Sequence, residues 1–317
     1  MEYSVFLNQI FILGVLVLIG VLAVRFRVIT EPVKEGLAKI IFNITLPLLV
    51  LVGISEMDIS LELVENSLLA LLFSFLVLGL MTLLGVVSSR IAKLPPKSSS
   101  VHIVHTMFGN IVYLGFPLIN VLFPGGEGLF YAMLFHLASS LIMWTAGINI
   151  LQNNHRDWKG GLKNLLNPNT FAFLIGFLML SFSIKLPVFL SKSLGGLGDT
   201  TIYLSMLYIG AMLASMNWKK AIASGQAYLL SFNKLILIPV LSLGLYLIMF
   251  HLFSFKLDEP AASVIILESA MPCMANIVVL AKIYGADDKQ ATENVFISTI
   301  LSIISLPVIY YLISTVL

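Results

Sequence analysis

The chain has 317 residues, of which 59% are hydrophobic and only 11% are charged, and its formal net charge is +2. Soluble domains have roughly 45–50% apolar and about 25% charged residues, so this composition excludes a water-soluble enzyme, a nucleic-acid-binding protein and a disordered chain. The mean hydropathy of +1.01 and the lack of alternating polar strands predict an all-α integral membrane protein. Motifs of hydrolases, metalloproteases and nucleotide-binding enzymes are absent from the sequence, so an enzyme is not expected.

Charge clusters, prolines and glycines divide the chain into ten apolar segments, each close to the roughly 20 residues that a membrane-crossing helix needs. The predicted spans are 4–24, 36–54, 66–89, 101–122, 128–151, 168–184, 200–216, 226–253, 261–283 and 292–316. Because Arg25 follows the first segment directly and no basic segment precedes it, that segment is predicted to be a retained span and not a cleaved signal peptide.

Lysines and arginines are concentrated in alternate connections between these spans. Fourteen lie in the connections after spans 1, 3, 5, 7 and 9, whereas the other side of the predicted membrane has only Lys185, Lys192 and Lys256. The positive-inside rule assigns the fourteen to the cytoplasm. The sequence therefore predicts a multi-pass protein of the cell membrane with both termini extracytoplasmic.

An internal repeat is predicted from the number of spans and from two related segments. Ten spans with both ends outside divide into two halves of five, and an odd number per half puts the halves in opposite orientation, as in many transporters. We predict a first repeat at 1–152, a cytoplasmic linker at 153–167 and an inverted second repeat at 168–317. Span 4 contains Gly109-Asn110-Ile-Val-Tyr-Leu, and span 9 contains Ala275-Asn276-Ile-Val-Val-Leu. Each of these spans is the fourth helix of its half.

The same two spans carry residues that interrupt a helix. Span 4 contains Gly109, Gly115 and Pro117, and span 9 contains Pro272. A proline removes a backbone hydrogen bond, and in lipid the freed groups must find a partner in the protein, in water or in a ligand. Two broken helices are therefore predicted, with half-helix N-termini that favour an anion. Two ordinary proline kinks are the alternative.

Several short motifs resemble the auxin efflux carrier family, whose bacterial members are permeases for malate and similar organic anions. The matching residues are Asn43-Ile-Thr-Leu-Pro47 in span 2, Gly109-Asn110 and Gly115-Phe-Pro117 in span 4, Asn167-Pro168 in span 6, and Met271-Pro272 with Asn276 in span 9. The resemblance covers the whole chain. It implies two inverted five-helix repeats, helices 4 and 9 that cross at their unwound centres, and a scaffold and a transport domain that move in an elevator-like cycle.

The bile-acid/sodium symporters are similar in fold, and in them an acidic residue shortly before an asparagine of the crossover helix ligates sodium. In this chain Glu268 precedes Asn276 by eight residues, so the resemblance suggests a sodium site at Glu268. A carboxylate inside a span is costly and indicates a function. Glu268 is therefore predicted to carry a proton or to bind a hard cation. A structural ion pair, or a protonated carboxyl that donates to the backbone, is the alternative.

Lys234 in span 8 is the other ionisable residue predicted to lie deep in the bilayer. It could pair with Glu268, attract an anionic substrate, or extend its ammonium to the cytoplasmic surface. His136 is a candidate proton relay because it shares a helix face with Ser140, four residues later. Glu268, Lys234 and His136 are thus the predicted ion-coupling residues, and a proton or sodium ion is the only cofactor expected.

The remaining candidate residues are polar or helix-breaking positions within the spans. The predicted substrate contacts are Asn110, Tyr113, Asn276, Asn43 and Ser140, and the predicted hinge residues are Gly109, Gly115, Pro117, Pro272 and Pro47. Asn43 could instead cap the backbone group that Pro47 leaves open, and Tyr113 could instead be part of an ordinary core. His102 and His105 are predicted to lie at the cytoplasmic membrane interface.

Three functions are compatible with these observations. The first is a secondary carrier that moves a small organic anion, such as malate or an auxin-like carboxylate, by alternating access. The second is a sodium-coupled organic-anion symporter in which Glu268 binds sodium. The third is a membrane receptor that binds a ligand without transporting it. A homodimer is compatible with all three.

Overall fold

The structure is a computed structural model that describes residues 3–58, 61–152, 167–253 and 255–317. These residues are almost entirely helical. The helices of the first half are α1 (Tyr3–Arg25), α2 (Glu31–Ile40), α3 (Leu46–Ser55), α4 (Leu61–Ile91), α5 (Pro96–Met107), α6 (Phe116–Leu122), α7 (Glu127–Ile142) and α8 (Ile148–Leu151). Those of the second half are α9 (Pro168–Ser181), α10 (Val188–Ala214), α11 (Trp218–Ile222), α12 (Gly225–Phe232), α13 (Ile238–Phe253), α14 (Glu259–Ser269), α15 (Asn276–Ile283) and α16 (Asp288–Val316).

The helical segments agree with a multi-pass membrane protein. Six continuous helices of the described residues are long and apolar enough to cross a membrane: Glu31–Ser55, Glu65–Ile91, Glu127–Leu151, Val188–Ala214, Gly225–Phe253 and Asp288–Val316. Shorter apolar helices cover Phe11–Arg25, Ile111–Leu122 and Pro168–Ser181. Helical residues therefore occur in every predicted span, whereas the number of ten spans and the inverted repeat stay predictions. The predicted linker 153–167 lies outside the described residues except for Asn167.

Four wide, π-helical turns connect neighbouring α-helices: Ile41–Thr45, Ile111–Gly115, Met143–Gly147 and Asn233–Leu237. Three of them are followed, two residues later, by a proline: Pro47, Pro117 and Pro239. A proline has no N–H and its ring pushes against the preceding turn, so a wider turn before it relieves the clash without ending the helix. The predicted hinge residues Pro47 and Pro117 therefore lie where the helical repeat changes.

The chain forms two compact units. Unit 1 comprises Met1–Ser67, Val112–Met133 and Leu166–Met216, and unit 2 comprises Leu68–Ile111, Leu134–Leu165 and Asn217–Leu317. Each unit takes residues from both halves of the sequence. The boundaries of the two compact units therefore differ from those of the two predicted repeats, at 1–152 and 168–317.

Unit 1 is packed through close helix contacts at glycines. A Cβ atom added to Gly20 of α1 would clash with the Leu207 carbonyl of α10, and one added to Gly210 would clash with the Val17 carbonyl of α1. Gly198 of α10 approaches the backbone of Leu49 in the same manner. Small residues at these places let the helix backbones touch, which is how helices associate where no water drives them together.

Unit 2 contains a buried apolar cluster in which several helices meet. Its fully packed members are Val101, Val104, Met107, Phe108, Met143, Ile148, Leu151, Ile277, Ala281 and Ala291. They come from α5, α8, α15, α16 and the turn before α8. Met107, Phe108 and Ile277 of this cluster lie next to the interruptions that follow α5 and precede α15.

Candidate functional site

Two interrupted helices of unit 2 pair through their non-helical residues. α5 ends at Met107 and the next helical turn begins at Ile111, whereas α14 ends at Ser269 and α15 begins at Asn276. We call residues 108–110 and 270–275 the paired breaks. They run antiparallel and form a single bridge. The Asn110 N–H donates to the Pro272 carbonyl (2.7 Å), and the Met274 N–H donates to the Phe108 carbonyl (3.2 Å). Each break thus supplies hydrogen-bond partners that the other has lost.

Gly109 is required by the close approach of these two segments. A Cβ atom at this position would lie 2.9 Å from the Met271 Cβ and 3.1 Å from the Met271 carbonyl oxygen. Only a residue without a side chain leaves room for the second backbone. The sequence prediction that Gly109 and Pro272 interrupt their helices is thus explained by the contact that both of them permit.

Glu268 lies at the end of α14, immediately before the second break. Its side chain has no exposed surface, and neither carboxylate oxygen has a hydrogen-bond partner in the described part of the chain. A buried carboxylate without partners is costly, because no hydrogen bond within the protein replaces its lost hydration. The arrangement therefore favours an additional group at Glu268, either a proton or a cation.

Lys234 lies in the π-helical turn between α12 and α13 and is also fully buried. Its ammonium donates to the Thr106 carbonyl near the end of α5, at 3.2 Å. That carbonyl is one of the last four of a helix, which lack a partner within the helix and carry partial negative charge. Of the three alternatives for Lys234, the one in which its ammonium extends to the surface therefore does not agree with the structure.

Glu268 and Lys234 attract one another electrostatically. Within the described residues, however, their nitrogen and oxygen atoms are not within the 4.0 Å of an ion pair. The structural ion pair predicted as an alternative for Glu268 is absent. Both side chains are therefore fully buried without direct contact between their charged groups.

The two asparagines of the repeated segment differ in their surroundings. Asn110 follows the bridge residue of the first break and is 2% exposed, and its Nδ2 donor has no partner among the described residues. Asn276 is the first residue of α15, and its side chain is exposed. Asn110 thus offers a buried N–H donor, whereas Asn276 offers an amide at a helix N-terminus.

A chain of buried polar side chains leads away from the second break. His105 Nε2 is 3.3 Å from the Met274 carbonyl, and its Nδ1 is 3.2 Å from the Asn294 amide nitrogen. The Asn294 oxygen accepts a hydrogen bond from the Gln290 amide at 2.8 Å. Because Nδ1 accepts from Asn294, His105 must carry its proton on Nε2 and donate it to Met274. His105 is fully buried within the protein, and its position at the cytoplasmic membrane interface stays a prediction.

The chain continues to the start of α16. The Gln290 amide also donates to the Ser224 hydroxyl, at 3.3 Å. The Gln290 N–H donates to the Asp287 carboxylate, which caps the helix and accepts from the Ser98 hydroxyl at 2.7 Å. Nearer the break, the Ser298 hydroxyl accepts the Cys273 N–H at 3.0 Å. These residues tie the second break to α16.

Sequence reasoning missed this network, although a pattern in α16 indicates it. The residues Gln290, Asn294, Ser298 and Ser302 recur every four positions along α16. Residues four apart share one helix face, and a polar face on a membrane helix needs a buried partner. His102 is 2% exposed and its Nε2 lies 2.8 Å from the Ser88 hydroxyl, whereas its interfacial position stays a prediction.

Comparison with known proteins agrees with this geometry. The model of a family described as a membrane transport protein matches residues 5–160 and 157–310. The chain belongs to this family, the auxin efflux carrier family. The resemblance that the motifs indicated is thereby confirmed.

Two archaeal relatives of the family match nearly the whole chain. An uncharacterized transporter of Methanocaldococcus jannaschii is 26% identical over 304 residues, which are 94% of this chain and 96% of the relative. An uncharacterized transporter of Methanothermobacter thermautotrophicus is 25% identical over 303 residues, which are 92% and 93% of the two chains. The protein is a multi-pass membrane transporter.

Other predicted residues of this transporter lie in unit 1. The Asn43 amide donates to the Lys39 carbonyl at 2.9 Å, so it does not cap the backbone group that Pro47 leaves open. Tyr113 is 6% exposed, and its ring centroid lies 4.7 Å from that of Tyr208. Gly115 ends the π-helical turn before Pro117. Substrate contacts at Asn43 and Tyr113 stay predictions.

His136 and Ser140 contact each other on α7 of unit 2, as their spacing predicts, with 3.4 Å between Nε2 and Oγ. Their roles in proton relay and substrate binding stay predictions. Among the described residues, no group of three His, Cys, Asp or Glu side chains could hold a metal ion. A sodium ion at Glu268 would therefore need backbone or amide oxygens as its other ligands.

Proposed function

We propose that this protein is a secondary transporter that moves a small organic anion, such as malate, across the cell membrane. It would work by an elevator-type cycle, with ten spans in two inverted repeats and both termini outside the cell. Membership of a membrane transport family supports the general activity. The buried charges at the paired breaks support the more specific proposal.

The observation that carries the proposal is the buried, unpartnered Glu268 carboxylate near the Lys234 ammonium. A purely structural pair would be in contact, because separated buried charges do not repay their lost hydration. A coupling ion that binds and leaves during each cycle requires this incompletely satisfied arrangement. In one state of the transporter, a bound proton or a sodium ion would give the Glu268 carboxylate the partner that it lacks.

The substrate anion would be held by amide donors and helix ends. Asn110 offers a buried Nδ2 donor without a partner among the described residues. Asn276 begins α15, whose N-terminus carries partial positive charge. A small carboxylate would accept hydrogen bonds from such donors. Asn110 and Asn276 are therefore the substrate residues to test first.

The experiment is malate uptake by purified protein in proteoliposomes, with Asn110→Ala, Asn276→Ala and Asn149→Ala variants. Asn149 is a suitable control because, among the described residues, its amide donates to the Thr145 carbonyl of the preceding π-helical turn and to no other group. Loss of one charge-assisted hydrogen bond should lower uptake by about tenfold in the first two variants and leave the control unchanged. Full uptake by both test variants would overturn the assigned residues. Thermal stabilisation by malate without uptake would instead indicate a receptor.

A sodium-coupled symporter is the second candidate, because both Glu268 oxygens are free to bind a cation. Replacement of external sodium by potassium should then abolish uptake in wild-type vesicles. A proton-coupled carrier should keep its uptake in potassium and respond to an imposed pH gradient. In either case Glu268→Gln should uncouple uptake from the ion gradient. A Glu268→Gln protein whose accumulation still follows the gradient would exclude Glu268 as the coupling residue.

A further inference from the structure

A small cavity lies within unit 1, at the junction of α1 and α2. It has a volume of about 250 Å³ and is lined by Val24, Arg27, Ile29, Thr30, Glu31, Lys34 and Ser215. Pockets for drug-sized ligands usually have roughly 300–1,000 Å³, so this cavity suits a group of only a few heavy atoms. The charge count predicts that it faces the cytoplasm.

The polar side chains of the lining are mostly hydrogen-bond donors, and Glu31 is the one carboxylate among them. The Lys34 ammonium lies 2.7 Å from the Glu31 carboxylate, and the lysine side chain is only 15% exposed. This pair is neutral overall and leaves two further N–H donors on Lys34. Arg27 forms no ion pair within the described residues, so its positive charge is unbalanced. The Thr30 side chain precedes α2 without capping it, which leaves its hydroxyl free to donate.

Arg27 is an exposed residue whose backbone adopts a costly conformation. The Arg27 N–H bonds to the Val24 carbonyl and the Val28 N–H to the Ala23 carbonyl, at 2.9 and 2.8 Å. These bonds form a Schellman motif, in which glycine is the usual residue. Arg27 occupies its left-handed position with a φ of 58°, which is strained for a residue with a side chain. A guanidinium at this point is thus retained although glycine would fit better.

Apolar side chains flank the cavity on the outside of the protein. Phe26 and Val28, the neighbours of Arg27, are 72% and 70% exposed. They follow the apolar helix α1, where a membrane-crossing segment would meet the headgroup layer. The donors that line the cavity suit the phosphate group of a lipid, and the exposed apolar side chains beside it suit the lipid hydrocarbon.

We propose that this cavity binds a phosphate oxyanion through Arg27, Lys34 and Thr30. Arginine and lysine are the side chains that bind phosphate best, through charge-assisted hydrogen bonds. The phosphate belongs either to an anionic phospholipid headgroup or to a free phosphate compound. The site is separate from the proposed transport residues, and it does not depend on their role.

The test uses the full-length protein in dodecyl maltoside micelles and measures the melting temperature. One arm adds phosphatidylglycerol, with phosphatidylcholine as its control. The other arm adds inorganic phosphate, with chloride at equal ionic strength as its control. The proteins are wild type, Arg27→Gly and Lys93→Gly. Lys93 is the matched position, because it has a φ of 49° in the same motif after α4 but does not line the cavity.

Glycine relieves the backbone strain at both positions, so both variants should fold. Each loses one positive charge, but only Arg27→Gly loses one that lines the cavity. Wild type and Lys93→Gly should be stabilised equally by the ligand, whereas Arg27→Gly should need about tenfold more of it. Stabilisation by phosphatidylglycerol alone would identify a lipid site, and stabilisation by inorganic phosphate would identify a site for a free compound. Equal weakening in both variants, or no ligand effect in wild type, would overturn the proposal.

Discussion

The two units of the transporter are specified by different interactions. Unit 1 relies on backbone contacts at Gly20, Gly210 and Gly198, so the shape of its helices decides how they pack. Unit 2 has a close glycine contact as well, at Gly109, but it differs in burying charged side chains. Within the described residues, both fully buried charges, Glu268 and Lys234, belong to unit 2.

This difference indicates which unit carries chemistry. A glycine contact excludes water and has one favourable geometry, so it suits a rigid frame. Buried hydrogen-bonding groups have alternative partners and protonation states, and their energy depends on what is bound. Unit 2 is therefore the part of the described chain in which a bound ion or proton would change the energy most. The following substitutions test this contrast, in order of decreasing effect.

Lys234→Met should have the largest effect on stability. It leaves the Glu268 carboxylate buried without a compensating charge and deprives the Thr106 carbonyl of its donor. Removal of one buried charge of an attracting pair costs about 3–5 kcal/mol. Unfolding of the variant in dodecyl sulfate mixed micelles measures this cost. The double variant Lys234→Met, Glu268→Gln should recover part of it, and no recovery would show that the two residues are not coupled.

Gly210→Leu should disrupt unit 1 by forcing α10 away from the Val17 carbonyl of α1. Overpacking of this kind costs about 1–3 kcal/mol, measured by the same unfolding assay. The control is Gly196→Leu in the same helix, where nothing lies within 4 Å of an added Cβ atom. If the two variants are equally stable, close glycine packing does not hold unit 1 together.

Asn294→Leu should weaken unit 2 by a similar or slightly smaller amount. His105 Nδ1 and the Gln290 amide would each lose a buried partner, which costs about 1–3 kcal/mol. Uptake should fall as well, because His105 supports the Met274 carbonyl in the second break. Ile300→Leu, at an exposed position of the same helix, is the control. Normal uptake together with lowered stability would separate this network from transport.

Lys185→Met should have the smallest effect. The Lys185 ammonium caps the end of α3 by donating to the Glu56 and Met57 carbonyls, at 2.8 and 2.6 Å. A partly exposed charge at a helix C-terminus contributes about 0.3–1 kcal/mol. Lys192→Met, at an exposed lysine of α10, should change the melting temperature by less. A larger loss at Lys192 would contradict the capping role.

Prediction from the sequence was most successful at residues whose own backbone or charge determines the local structure. Prolines and glycines mark the helix interruptions, because Pro272 and Gly109 act through their own backbone. The cost of burying a charge in lipid identifies Glu268 and Lys234 without any structure. The family also followed from these motifs, and the comparisons confirm it.

The surroundings of these residues could not be predicted, because they depend on distant parts of the chain. Lys234 contacts Thr106, 128 positions away, and His105 contacts Asn294, 189 positions away. A periodic pattern shows which face of a helix is polar but does not identify its partner. The two asparagines of the repeat illustrate the same limit. Their neighbours in the sequence are similar, but Asn110 is buried and Asn276 is exposed.

The π-helical turns have a consequence for how relatives of this transporter can vary. An α-helix rotates by about 100° per residue, and a π-helical turn accommodates one additional residue. Deletion of a residue inside Asn233–Leu237 would restore a regular helix and keep the facing of α12 and α13 intact. The same deletion elsewhere in either helix would rotate its buried face toward lipid. Single-residue gaps among relatives should therefore fall within these turns, where a deletion leaves the orientation of the following helix unchanged.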